Sequence, residues 1–171
     1  NHNGDMLLSK EMIDAAKSNG ASCVKFQSFI AHNYISKYAT KADYQKKDIT
    51  VKEMSQRDII KQSELSTEQA IEMKEYAKSK NIDFLSTPFE ITSFYSLMDI
   101  NVPAIKISSC NLTNIPFLEE VASTKIPVLL STGMGNLGEV IEAVEIFVKR
   151  ESPIMIFQCT SNYPCSIENA N

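Results

Sequence analysis

The chain has 171 residues, 43% of them hydrophobic, with 17 Lys and Arg against 21 Asp and Glu. That length fits one domain of ~150 residues, and 5 Gly with 6 Pro are too few for a collagen-like or low-complexity chain. A formal net charge of −4 argues against nucleic acid or an anionic membrane surface as partner, and no apolar run approaches the ~18 residues of a spanning helix.

The start, Asn1-His2-Asn3-Gly4-Asp5, lacks the basic and apolar regions of a signal peptide and reads as a strand-to-helix turn. A first helix follows, with Leu8, Met12, Ala15 and Ala16 on one face and Asn19-Gly20 as its stop. The apolar run Ala21–Gln27 is a predicted strand. Residues 28–65 form a long polar stretch, and a loop of that length in a compact domain is usually functional. Ser66 and Gln69 make a capping-box pattern before a helix carrying Ala70, Met73 and Ala77. Strand Ile82–Thr87 precedes a helix marked by Ile91, Phe94, Tyr95 and Met98. Strand Ala104–Ser109 precedes a helix that Asn114 can cap, with Leu118, Val121 and Ala122 inward. Strand Pro127–Thr132 precedes a helix opened by Asn136 and Glu139, with Leu137, Val140, Ile141, Val144 and Val148 in phase. Strand Ile154–Thr160 comes last.

Nearly all-apolar strands alternating with helices imply a parallel α/β sheet covered by helices. Two architectures accommodate five such units: a doubly wound sheet, or an arc of a (β/α)8 barrel, whose usual ~250 residues this chain does not reach. The arc is the expectation, because the chain opens after a strand and stops as the next helix begins. It is accordingly expected to be a piece of a larger enzyme. The cysteines, Cys23, Cys110, Cys159 and Cys165, contain no C-x-x-C spacing, so reduced thiols in a cytoplasmic protein are expected.

Chemistry collects at the strand ends: Lys25 and Gln27; Ser86 and Thr87; Lys106, Ser108 and Ser109; Ser131 and Thr132; Gln158, Thr160 and Ser161. Ligands of parallel α/β folds bind at this edge. Two cations among hydroxyl and amide groups, with no strand-end carboxylate, suit a phosphate or carboxylate. Helix N-termini just beyond add N–H donors. The alternative for either lysine is a solvated strand end. Ser131-Thr132-Gly133-Met134-Gly135 is a small-residue turn that lets backbone approach a ligand, but it is not a P-loop. Two histidines, His2 and His32, are too few for a complete metal site, no G-x-S-x-G elbow is present, and Cys159 reads as a small apolar strand residue.

Seven motifs in order then carry a resemblance: Asn1–Asp5, Val24-Lys25-Phe26-Gln27, Ser86-Thr87-Pro88-Phe89, Lys106-Ile107-Ser108-Ser109, Leu112-Thr113-Asn114, Leu130-Ser131-Thr132-Gly133-Met134 and Gln158-Cys159-Thr160-Ser161-Asn162-Tyr163-Pro164. Together they resemble the sialic acid synthase (N-acetylneuraminate synthase) family across essentially the whole chain. Ala42-Asp43-Tyr44-Gln45 resembles part of that family's insertion. The resemblance implies a (β/α)8 TIM barrel, with this chain covering roughly strands 2 to 6. It also implies an antifreeze-protein-like domain outside this chain, and a homodimer.

The implied reaction condenses phosphoenolpyruvate with an N-acetylated mannosamine-type sugar, giving a nine-carbon 2-keto acid and phosphate. A divalent cation, manganese or magnesium, would polarise the sugar aldehyde, held by histidines outside this chain. The chain by itself is therefore expected to be inactive. Carried over by motif, Lys25, Thr87, Lys106, Ser109 and Ser131 would hold phosphoenolpyruvate, with Ser161 and Tyr163 close by, and Gln27 and Tyr163 near the sugar. Asn3 stands where some members carry a catalytic Glu, and Asn111 where others carry an acidic residue near the sugar. Asn3 cannot exchange a proton at neutral pH, so water would be activated by another group. Legionaminic or pseudaminic acid, a sister product, is a close variant of this reading. A Schiff-base aldolase using Lys106 or Lys25, and a non-catalytic phosphate- or sugar-binding homologue, are the other readings.

Overall fold

The computed structural model describes residues 2–41, 53–162 and 164–170. Helices and strands alternate through two units, Asn1–Phe84 and Leu85–Asn171.

The first unit opens with a tight turn in which the Asp5 N–H donates to His2 O at 2.8 Å. Asn3 (φ 49°) and Gly4 (φ 83°) both adopt the left-handed conformation that Asn and Gly tolerate best. The Asp5 carboxylate then accepts from the N–H groups of Leu7 and Leu8, capping α1 (Met6–Ser18). The expected inner face of α1 is not the one buried: Ser9 and Ile13 are inside, while Leu8 and Met12 are each 38% exposed. Three contacts with α4 (Thr67–Ser79) and its end hold this rotation. Asp14 accepts from Tyr76 Oη at 2.7 Å and pairs with Lys80 at 2.7 Å, and Lys10 pairs with Glu72 at 2.7 Å.

β1 (Cys23–Ser28) follows. Among the described residues of 28–65, expected to be loop, two short helices form, α2 (Ala31–Tyr34) and α3 (Gln56–Lys61). Glu64 Oε1 accepts from the Ala31 N–H, and Arg57 Nε donates to Ile35 O at 3.0 Å, fastening the two ends of the stretch together. Ala42–Gln45, the segment resembling a family insertion, lies outside the described residues. The Ser66/Gln69 capping box forms, and α4 buries Ala70, Met73 and Ala77 as expected. β2 (Asp83–Pro88) starts within this unit beside β1: the Asp83 N–H donates to Ser22 O at 3.0 Å, and the Phe84 ring stacks on Phe26 at 5.3 Å.

In the second unit β2 continues, followed by α5 (Ile91–Asp99), β3 (Ile105–Ile107), α6 (Ile115–Ser123), β4 (Val128–Ser131), α7 (Leu137–Lys149) and β5 (Ile154–Phe157). The pairing is parallel throughout: Ser86 opposite Ile105, Ile105 opposite Val128, Val128 opposite Ile154. The strand order β1-β2-β3-β4-β5 is the order of the chain. A doubly wound sheet would reverse direction at a switch point. Strictly sequential parallel strands with a helix between each are those of a (β/α)8 barrel, of which this chain is an arc.

Period-two alternation sorts the second unit's strand residues into two faces. Ile105, Ile107, Val128 and Leu130 are fully buried and share the core with Phe94, Leu97, Leu118, Val121, Ala143 and Phe147. The other face carries Thr87, Lys106, Leu129, Ser131 and Phe157, by the register that sets Lys106 opposite Leu129 and Ser131 opposite Phe157. β5 ends at Phe157, three residues before the expected Thr160, so Gln158, Thr160 and Ser161 belong to the loop beyond it. Among the described residues no helix is long and apolar enough to cross a membrane, and the four cysteines are free thiols.

Candidate active site

β3 delivers Lys106 to the polar face of the second unit. Its ammonium donates to Ser131 Oγ at the end of β4 and to Ile107 O at 3.1 Å, and it sits 5.2 Å from the centroid of the Phe157 ring. A cation held by a hydroxyl, a carbonyl and an aromatic face has a fixed position. Thr87, buried, lies one register step beyond the Ser86–Ile105 pair and so beside Lys106.

The loops that follow these strands bring a second set together. Ser109 Oγ accepts from the Gly133 N–H at 3.0 Å. A Cβ at Gly133 would strike Ser161 Oγ, lie 3.0 Å from Ser109 Oγ and touch the Cys159 side chain at 3.4 Å. Glycine is thus the residue that lets the two hydroxyls close on the backbone. Met134, next in the turn, is left-handed (φ 68°) and 75% exposed, so backbone strain sits at this loop. Lys106, Ser109, Ser131 and Ser161, named from sequence, therefore occupy one end of the second unit, with Thr87 on the same strand face. Phe157 and the Gly133 N–H join them, although no pattern in the sequence singled out Phe157.

Asn111 links two of the loops at the strand ends. It is buried, its Nδ2 donates to Phe89 O at 3.3 Å, and its Oδ1 accepts from Asn114 Nδ2 at 3.2 Å. It ties the loop after β2 to the loop after β3. Asn114 occupies the N-cap of α6 without a side-chain cap, and its Nδ2 donates to Asn111.

The first unit has its own cavity of about 440 Å³, lined by His2, Asn3, Lys25, Gln27 and Ser63 together with apolar residues of α1 and β1, among them Ile13 and Phe26. Burial draws the Lys25 ammonium below the usual lysine range, opposed by Cys23, though its side chain still reaches solvent. The His2 imidazole is likewise lowered, chiefly by burial. Asn3 and Gly4 form the turn at the mouth, where a Cβ at Gly4 would lie 3.0 Å from Gln62 O. Lys25 and Gln27 thus line one cavity with Asn3. Tyr163 lies outside the described residues. Among the described residues no three His, Cys, Asp or Glu side chains gather as a metal site.

Comparison with known proteins bears on this arrangement. The profile of the NeuB family matches residues 12–171. An N,N'-diacetyllegionaminic acid synthase of Campylobacter jejuni is 41% identical over 174 residues, covering 100% of this chain and 52% of that protein. The N-acetylneuraminate-9-phosphate synthase of Mus musculus is 33% identical over 172 residues, covering 100% of this chain and 47% of that protein. The crystal structure of an N-acetylneuraminic acid synthetase from Leptospira borgpetersenii, in complex with citrate, superposes with a TM-score of 0.84 at 31% identity, covering 100% of this chain and 55% of that one. The chain spans about half the length of the curated relatives it matches.

Proposed function

Because the chain belongs to the NeuB family, we propose that the protein it represents condenses phosphoenolpyruvate with an N-acetylmannosamine-type sugar, releasing phosphate and a nine-carbon 2-keto acid. The relatives' names, sialic and legionaminic acid synthases, support a condensation of this product class. The observation that carries the anionic donor is the Lys106 ammonium fixed by Ser131 Oγ and Ile107 O, with the Ser109–Gly133–Ser161 cradle at the same end of the unit. Fixed donors of this kind stabilise a bound phosphate and hold the enol in line for attack.

In this scheme C3 of phosphoenolpyruvate bonds to the aldehyde carbon of the open-chain sugar, and the aldehyde oxygen takes a proton to become a hydroxyl. Water adds to the cation left at C2 and loses its proton. The C2–O bond to phosphate then breaks, giving the ketone and inorganic phosphate. Lys106, Thr87, Ser109, Ser131 and Ser161 bind the donor. Lys25 supplies further positive charge, while Gln27 and Tyr163 meet the sugar. Asn3 orients by hydrogen bonding, since its amide moves no proton at neutral pH. A divalent cation with ligands outside this chain, a homodimer, an antifreeze-like domain and a cytoplasmic location complete the proposal.

The test is mass spectrometry of products from the full-length protein given phosphoenolpyruvate and a panel of 2-acetamido sugars. Sugar-dependent phosphate release with a matching 2-keto acid is the expected result. No condensation with any sugar, manganese being present, defeats the proposal and favours a binding homologue. The lowered Lys25 pKa favours one second reading, a Schiff-base aldolase. Borohydride with a keto acid would trap its lysine adduct, whereas the synthase forms none.

A further inference from the structure

Building on that reading, we propose that His2 is a sugar-binding residue, a neutral imidazole that donates from Nε2 to an oxygen of the amino-sugar acceptor. The turn that opens the chain fixes its ring. Nδ1 accepts from the Gly4 N–H at 3.2 Å, within the turn closed by Asp5 N–H and His2 O. A nitrogen that accepts carries no proton in the neutral ring, so the proton resides on Nε2. The ring also lies 5.6 Å from the Phe26 ring, tilted by 58°. Two independent contacts therefore set both the orientation of the imidazole and its tautomer.

The surroundings say what that donor meets. His2 lines the cavity of about 440 Å³ with the Lys25 ammonium, the amides of Asn3 and Gln27, the Ser63 hydroxyl and apolar side chains such as Ile13 and Phe26. A cavity of this size takes a small ligand. Neutral donors and acceptors above an apolar floor, outnumbering the single ammonium of Lys25, suit a polyhydroxylated ring with an N-acetyl methyl group. Burial lowers the imidazole pKa and so favours the neutral ring, which has one N–H to give. Selecting a hydroxyl or carbonyl oxygen by a single fixed donor discriminates strongly, because a ligand lacking that oxygen leaves the donor unpaired.

The full-length protein tests this by phosphate release with sugar and phosphoenolpyruvate varied separately. His2→Phe keeps the ring against Phe26 and removes the donor, while His2→Gln restores an N–H near Nε2. His2→Phe is expected to raise the sugar KM about tenfold while the phosphoenolpyruvate KM stays within about twofold, with His2→Gln recovering most of the loss. An unchanged sugar KM, an equal rise in both KM values, or no recovery by Gln overturns the assignment. Should either variant fail to fold, ¹⁵N resonances of the wild-type His2 ring decide the point. The Nε2–H tautomer, with Nε2 shifting as sugar alone is titrated, supports it; an Nδ1–H tautomer or an unmoved Nε2 refutes it. A wild-type protein that releases no phosphate with any sugar defeats the synthase reading instead, and the sugar titration still judges His2.

Discussion

Lys25 and Lys106 present opposite electrostatic situations. Lys106 has its charge spread over Ser131 Oγ, Ile107 O and the Phe157 ring. Lys25 is held in a cavity wall where burial disfavours its charged form. Its folded pKa lies below its unfolded value, so the charged side chain opposes folding at neutral pH, and the penalty fades as pH rises through the folded pKa. Lys25→Met is therefore expected to raise the melting temperature at pH 7, by a margin that shrinks towards pH 10, while weakening binding of phosphoenolpyruvate. Melting curves at the two pH values with a KM measurement check both halves, and a lower melting temperature at pH 7 contradicts the argument. Lys106→Met removes a placed donor, and about a tenfold or larger rise in the phosphoenolpyruvate KM is expected from the lost charge-assisted bonds. Gly133→Ala probes the cradle sterically: the added methyl strikes Ser161 Oγ and crowds Ser109 Oγ. Loss of anion binding with the fold retained by circular dichroism is the expected outcome.

At the level of elements, one backbone device recurs. Each helix leading into a strand is followed by a left-handed residue: Gly20, Asn81, Asn101, Lys125 and Glu151, with φ between 53° and 83°. Gly20 announces itself in sequence as a stop, and Asn tolerates this region, but Lys125 and Glu151 carry no such signal. The helix stops at Lys125 and Glu151 were for that reason illegible, whereas both capping boxes, Ser66/Gln69 and Asn136/Glu139, were read directly and form. Asn114 shows the opposite failure. Its cap position was legible, but the side-chain bond it gives to Asn111, three residues earlier, carries no signal in the apolar pattern. The rotation of α1 was likewise hidden, being set by Asp14 and Lys10 pairing with α4. Replacing a strained left-handed side chain by glycine relieves the clash, so Glu151→Gly is expected to stabilise the fold by about 0.5–1 kcal/mol. The Glu151–Lys125 pair it removes is long, at 3.8 Å, and solvated, so it offsets little. Denaturant unfolding at constant m-value measures the difference.

For the molecule as a whole, parallel strands in chain order were legible because each strand reads as an apolar run ending in polar groups. The gathering of Lys106 with Ser109, Ser131 and Ser161 was legible because those ends carry Lys and hydroxyl residues in phase. What escaped was whatever depends on neighbours: Phe157 under Lys106, and the first unit's cavity around His2 and Ser63. Phe157 raises a wider question of surface. β5 leaves Met155 58%, Ile156 48% and Phe157 39% exposed, so apolar side chains emerge on both faces of one strand, and α7 adds Leu137 at 76% and Val148 at 63%. Contiguous apolar surface on a strand pairs or associates in water unless covered. The 171-residue chain on its own is accordingly expected to self-associate in a concentration-dependent manner and to bind a hydrophobic dye. A charge placed mid-strand, Ile156→Lys, interrupts that surface without touching the Lys106 cluster and is expected to reduce both signals. Light scattering across a concentration series reads the outcome. A monodisperse monomer with no dye binding would mean that this apolar surface is covered in solution, against the exposure described.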